Sequence, residues 1–267
     1  MPSVSNVAIG SNIAAAAATK ARHGMNESIA RLSTGIRAMY GADAAGHSVG
    51  TVHSAEAKSY SQSVRNIEDG LSYAQAGESV LLEVANLAQR IRELSIADDN
   101  VELLDANQIA ALDAEATLLG DTIDNILNNT KFNGKEVVDS AAAASARINY
   151  TGDASTVTGT LVGPDTGIAA LAGLTDASGA ATNADTALAS IATALGNIAA
   201  DITALKAFQG AASATSANLA AASARIMDTD YATETASLTK NSILNQAALS
   251  MAAQANNAQS AILSVLQ

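Results

Sequence analysis

Three histidines, His23, His47 and His53, are the side chains best suited to hold a metal or move a proton near neutral pH. None stands in an HExxH pair or at another metal-ligand spacing, so no metal site is expected. Serine is plentiful, but none is read as a nucleophile. Gly159 to Gly163 is followed by no Gly-Lys-Ser/Thr and is not read as a phosphate cradle. There is no cysteine, so there is no disulfide framework. The chemistry-bearing residues point away from an enzyme and from any bound cofactor. Gln89-Arg90-Ile91-Arg92-Glu93-Leu94 is the densest mixed segment. On a helix it packs Ile91 and Leu94 and leaves Arg90, Arg92 and Glu93 in water.

The elements that position these residues are helices. Leu188, Ile191, Leu195, Ile198, Ile202 and Leu205 fall at steps of 3 and 4, a heptad seam. The seam resumes through Ala212, Thr215, Leu219, Ala222 and Ile226 after a stammer at Phe208. As one helix, Ala184 to Gln267 would reach about 120 Å. A compact chain of this length has a radius of gyration of about 18 Å. The segment therefore belongs to a rod, or breaks, and Asp228-Thr229-Asp230-Tyr231 is the expected break. Near the other end Met25, Ile29, Leu32, Ile36 and Met39 form a stripe, ended by the glycines of Gly41–Gly46.

A second helix is expected from about Val52 to Leu94, with Val64, Ile67, Leu71, Leu81, Val84, Leu87, Ile91 and Leu94 on its face, followed by a polar loop at Asp98-Asp99-Asn100. Asp105 with Gln108 resembles a capping box for a third helix carrying Ile109, Leu112, Ala116, Leu119, Ile123 and Ile126. Asn133-Gly134 signals a turn. Arg147–Tyr150 and Thr156–Val162 read as the strands of a hairpin. The expected fold is mainly α: a long antiparallel coiled-coil or helical-bundle rod with a small β-hairpin in the middle of the chain.

The net charge of −12 makes nucleic acid an unlikely partner. No run of 18 apolar residues exists, so no membrane insertion is expected. The first charge, Lys20, follows the apolar start instead of preceding it. No Sec-type signal peptide is read, and export would take another route. Met1–Thr19 and Asn241–Gln267 carry no charged side chain. Chain ends normally sit in water. Both ends are therefore expected to be helical and to become buried against other protein.

Ser28-Ile29-Ala30-Arg31-Leu32-Ser33-Thr34-Gly35-Ile36-Arg37 with Asp43-Ala44-Ala45-Gly46 resembles the N-terminal signature of bacterial flagellin. So do Arg65–Gly70, Gln89–Ser95 and Thr130–Gly134. Ala224–Glu234, Gln254-Ala255-Asn256 and Ile262–Leu266 resemble the C-terminal signature. The linker around Gly41–Asp43 is one residue shorter than the common pattern and lacks its lysine.

The resemblance implies a structural subunit that polymerises into the flagellar filament, extracellular and exported without a cleaved signal peptide. It implies a minimal form with an inner coiled-coil domain (1–40 plus 230–267) and an outer helical rod domain (41–229). Ile29, Leu32, Ile36, Leu238, Leu249, Ile262 and Leu266 are the expected packing residues of the inner coiled coil. Ile29 and Leu32 are expected to face residues between Leu238 and Leu249. Gln89, Arg90, Leu94 and Glu115 match a surface that contacts neighbouring protofilaments and, in free monomer, the Toll-like receptor for flagellin. Further implied partners are the export apparatus, an export chaperone on the C-terminal helix, and hook-associated and cap proteins. A hook–filament junction protein or a secreted coiled-coil binding protein is the alternative.

Overall fold

The computed structural model describes residues 2–38, 43–138, 168–171 and 173–265, with side chains at all of these except 2–8, 259, 262, 263 and 265. Five helices dominate: α1 (Pro2–Thr34), α2 (Ala44–Asp98), α3 (Ala106–Asn129), α4 (Ala180–Met227) and α5 (Tyr231–Val265). A two-stranded antiparallel hairpin, β1 (Lys131–Phe132) and β2 (Lys135–Glu136), follows α3. The expected mainly helical class is therefore what the chain adopts. The strands expected over 147–150 and 156–162 lie outside the described residues. The hairpin that is described turns at Asn133-Gly134, where both residues hold positive φ (50° and 77°), the geometry of a type I′ turn.

Helix boundaries follow from local chemistry. Pro2 opens α1, where its missing N–H costs nothing. Gly35 ends the helix: its φ of 72° is left-handed, and its N–H donates to the Arg31 carbonyl at 2.8 Å. The apolar stripe read through Met39 therefore loses its helix at Thr34. Ile36 pairs instead with Asp228 in an isolated antiparallel bridge. In that bridge Arg37 N–H donates to Met227 O (2.7 Å) and Thr229 N–H to Gly35 O (2.8 Å).

Asp43 caps α2, its Oδ1 accepting the Gly46 N–H at 2.8 Å. Asp105 and Gln108 form the expected capping box at α3. Asp230 caps α5 by accepting the Ala232 and Thr233 N–H groups, so the break expected at Asp228–Tyr231 is a cap.

Two compact units result. One comprises Met1–Ser54 with Leu219–Gln267, the other Ala55–Asn218. The second holds the large core. Ile67, Leu81, Val84 and Ile91 of α2, Ile123 and Leu127 of α3, and Ile191 of α4 are fully buried, with Val138, Ile168 and Leu171 sealing the bundle. Along α4 the most buried positions include Ala180, Ala184, Ala187 and Ala194, while Leu188, Leu195 and Ile202 flank them half-buried. Small residues on the contact line let the helices close up, and the leucines fill the sides. The buried line of α3 runs Ala116, Gly120, Ile123, Leu127, rotated from the stripe read in the sequence. A Cβ at Gly120 would meet the Leu171 carbonyl at 2.7 Å, so only glycine lets that segment lie on α3.

By length and composition α4 falls in the range of a membrane-crossing helix, with a mean hydropathy of 1.5 over 18 residues. Alanine supplies much of that value, and Ile191, Ile198 and Leu205 are turned into the protein core.

Candidate assembly surfaces

In the first unit α1 and α5 pack antiparallel in a single register. Arg31 Nη1 lies 3.5 Å from Glu234 Oε1, Gly24 stands against the Asn241 amide, and Gly35 against the Tyr231 hydroxyl. Each step forward on α1 is matched by a step back on α5. Carrying the Arg31–Glu234 pairing along the helices sets Leu32 against Thr233 and Leu238 against Glu27. The same pairing sets Ile29 against Ala236, so the expected facing of Ile29 and Leu32 with residues 238–249 is displaced by two residues for Ile29 and by more than a turn for Leu32. The reason is the early stop of α1: counting from Gly41 starts too far along the chain.

What this helix pair buries is small. Ala14, Ala18, Ala21, Ser28 and Ala248 are inside, whereas Ile13, Ile243, Leu249 and Met251 are exposed. An apolar groove of about 720 Å³ runs between the helices, bounded by Ile13, Ala17, Leu244, Ala247 and Met251. Of the expected packing residues, Leu32, Ile36 and Leu238 are half-buried, and Ile29 and Leu249 stand 49% and 54% exposed. The side chains of Ile262 and Leu266 lie outside the described set. Burying an alanine methyl is worth about 0.8 kcal/mol, against about 1.5–3 kcal/mol for a leucine or isoleucine. The pair therefore leaves most of its available hydrophobic stabilisation unused.

The second surface lies on α2 and α3. Arg90 donates from Nε and Nη2 to Glu115 Oε1 (2.9 and 2.8 Å) and from Nη1 to Glu93 Oε2 (3.1 Å). Those carboxylates hold its guanidinium firmly charged, Glu115 most of all. Beside it, Arg92 Nε donates to Asp185 of α4 at 2.6 Å. Gln89 is exposed. Leu94 is not on this surface: only 2% exposed, it packs with Ala116 and Ala177. Its place at a buried step of the α2 stripe, after Leu81, Val84 and Ile91, overrides the surface role read from resemblance.

Comparison with known proteins decides what these surfaces belong to. Residues 6–143 match the bacterial flagellin N-terminal helical region, and residues 179–266 match the bacterial flagellin C-terminal helical region. The chain belongs to the bacterial flagellin family. It is 30% identical over 277 residues to the flagellin of Bacillus subtilis (strain 168), covering 89% of this chain and 91% of that one. It is 34% identical over 259 residues to the flagellar filament 30.7 kDa core protein of Treponema maltophilum, covering 89% and 90%. The flagellin of Halalkalibacterium halodurans is 32% identical over 250 residues, with the same coverage.

Within this flagellin-family chain, two features escaped the sequence reading. Exposed Ile13, Ile243 and Met251 were not singled out, although they sit in the same charge-free ends as Leu249. The second is Gly46-His47-Ser48-Val49-Gly50, which spells the G-x-S-x-G of a nucleophile elbow. That elbow needs a sharp strand-to-helix turn to expose the serine. Here all five residues lie inside the opening turns of α2, and Gly50 backs onto Met227 and accepts the Ser223 hydroxyl at 2.8 Å. The pattern is a close helix–helix contact.

Proposed function

We propose that the chain is the structural subunit of a bacterial flagellar filament, an extracellular helical homopolymer, and that α1 and α5 are its main subunit–subunit surface. The observation that carries this reading is the inversion of burial on that pair, alanine inside and isoleucine, leucine and methionine outside, on helices whose terminal parts carry no charge. Such a surface gains little in water and much when a second copy covers it, because no buried charge opposes the contact. Segments 1–40 and 230–267 form the inner coiled-coil domain and 41–229 the outer helical domain. The caps at Gly35 and Asp230, joined by the Ile36–Asp228 bridge, mark matching helix breaks there, inside the compact unit of Met1–Ser54 with Leu219–Gln267. The three relatives named above are flagellins or a flagellar filament core protein, which favours the filament over a hook–filament junction protein.

Gln89, Arg90 and Glu115 form a lateral contact between protofilaments, and in free monomer the same patch meets the Toll-like receptor for flagellin. Arg90 is already paired within the chain through three of its five N–H groups, and the remaining donors are open to a partner's carboxylate or carbonyl. The export apparatus, an export chaperone holding α5, and the hook-associated and cap proteins complete the partners.

The test is seeded polymerisation. Purified chain added to fragments of sheared filament lengthens them under electron microscopy. Chain that stays monomeric at every concentration above that of ordinary filament growth overturns the reading.

A further inference from the structure

The C-terminus of α2 holds a carboxylate that the filament reading does not use. Asp98 is the last residue of α2 and is only 4% exposed. It follows Ile91 and Leu94 at steps of three and four, so it occupies a core position of that helix. Among the described residues its buried Oδ1 has no hydrogen-bond partner. Among the described residues the charged groups acting on it are carboxylates: Asp113 from α3, Asp99 from the turn that follows α2, and Asp176 from the segment leading into α4. The helix C-terminus adds the negative end of the α2 dipole.

The same junction carries two hydrogen bonds that dock the start of α4. The Ala177 N–H donates to Asp113 Oδ1 at 2.8 Å, and the Ala181 N–H donates to the buried Ser95 hydroxyl at 3.0 Å. Among the described residues no three carboxylates or histidines converge closely enough to hold a metal ion. A proton can neutralise Asp98 without any further group.

We propose that Asp98 is a proton-operated latch, ionised and repelled by its neighbours in neutral solution, and tightening the junction of α2, α3 and the α4 entry when it takes up a proton. Burial and the surrounding aspartates push its pKa up from the ordinary value. The sign follows from linkage. An acid whose pKa is higher in the folded chain binds its proton there first, so the cost of the buried charge is fully present above the folded pKa. That cost fades as pH falls through the folded value and is gone below the unfolded one. The device is independent of polymerisation, so its failure and the failure of the filament reading are separable.

The experiment uses the full chain as monomer, with the carboxyl carbon of Asp98 followed by NMR from about pH 8 to about pH 3, a range that spans the ordinary aspartate value. The expected midpoint lies above that of an unstructured aspartate, and the protection of the Ala177 and Ala181 amides, taken relative to the intrinsic exchange rate at each pH, rises as the midpoint is crossed downward. Asp98→Asn should melt above the parent at neutral pH and converge with it in acid. Asp176→Asn, which leaves the latch in place, should move the Asp98 midpoint down. A midpoint at or below the ordinary value overturns the proposal. So do melting profiles of parent and Asp98→Asn that run parallel across the whole range.

Discussion

The two compact units solve the same problem in opposite ways. In Ala55–Asn218, isoleucine, leucine and valine point inward and all of the largest fully buried side chains reside there, from Ile67 to Ile191. In the α1–α5 pair the inward positions are alanine and serine, and the isoleucines stand in water. Both are long antiparallel helices, and both are rich in alanine. The difference lies in which side of the seam carries the large residues. A unit that keeps them inside is finished as a monomer. A unit that keeps them outside is finished only by neighbours, because roughly 1–2 kcal/mol per residue of backbone entropy must be offset by burial that the pair alone does not supply.

Leu249→Asp should break the comparison most severely. Leu249 is exposed in the single chain, so the monomer should keep its helical circular dichroism. On the proposed assembly the substitution places an unpaired carboxylate in a packed interface, at a cost of several kcal/mol for every subunit added. Filament growth should be abolished. Filaments of ordinary length from this variant at neutral pH would show that the exposed face of α5 is not a buried contact.

A matched pair of isoleucines sharpens the contrast. Ile91 is fully buried in the core of the second unit, and Ile243 is 61% exposed on α5. Ile91→Ala should cost the monomer about 2–5 kcal/mol in denaturant unfolding. Ile243→Ala should change monomer stability by less than about 0.5 kcal/mol, as surface substitutions do. It should instead raise the concentration needed for polymerisation. Equal effects of the two on monomer unfolding would erase the distinction between the units.

Much of this contrast was legible before the structure. The heptad of α4, the capping box at Asp105–Gln108 and the break at Asp228–Tyr231 all follow from spacing and cap chemistry, which act within a few residues. The charge-free ends were expected to be helical, and α1 and α5 are helices. What was not legible depended on competition between signals. Gly35 stopped α1 although the apolar stripe continued to Met39, because a left-handed cap and a bridge to Asp228 are worth more to that segment than one further helical turn. Leu94 and Asp98 occupy buried steps of α2, one apolar and one acidic. The period already packed Leu94, and its surface role came from the resemblance alone; reading Asp98 as a polar loop gave local composition more weight than the period of the helix. The inward alanines of α1 and α5 could not be told from outward ones, since alanine fits either place.

The register of α1 and α5 gives a smaller, geometric test. A cysteine pair at positions 24 and 241 should form a disulfide within one chain under mild oxidation, because Gly24 touches Asn241 side-chain atoms. A pair at 32 and 241, placed for the displaced register, should not. The chain has no native cysteine to compete. Bridging by the second pair and not the first would mean that the helices slide by two turns from the pairing of Arg31 with Glu234.

The smallest expected effect is one of sign, and it separates the two units by pH. In the first unit, Asp43 and Asp230 are caps. The Gly46 N–H and then the Arg37 guanidinium hold the Asp43 pKa below the ordinary aspartate value. The Thr233 hydroxyl, then the Thr233 and Ala232 N–H groups, do the same for Asp230. A lowered folded pKa contributes stability that is present above the unfolded value and is lost as pH falls through the folded one. Both caps sit where the helices break, so acid should loosen the starts of α2 and α5 first. Amide exchange of Gly46, Ala232 and Thr233 should therefore quicken on acidification, relative to the intrinsic rate at each pH. Asp43→Asn and Asp230→Asn should flatten that dependence at their own sites, since asparagine still caps but carries no charge to lose. In the second unit the amides of Ile123 and Leu127, buried in the core, should show no such quickening over the same range. If protection at the three cap amides falls no faster than in that core, the caps are not set by their carboxylates. The stability of the helix breaks would then have to come from the Ile36–Asp228 bridge alone.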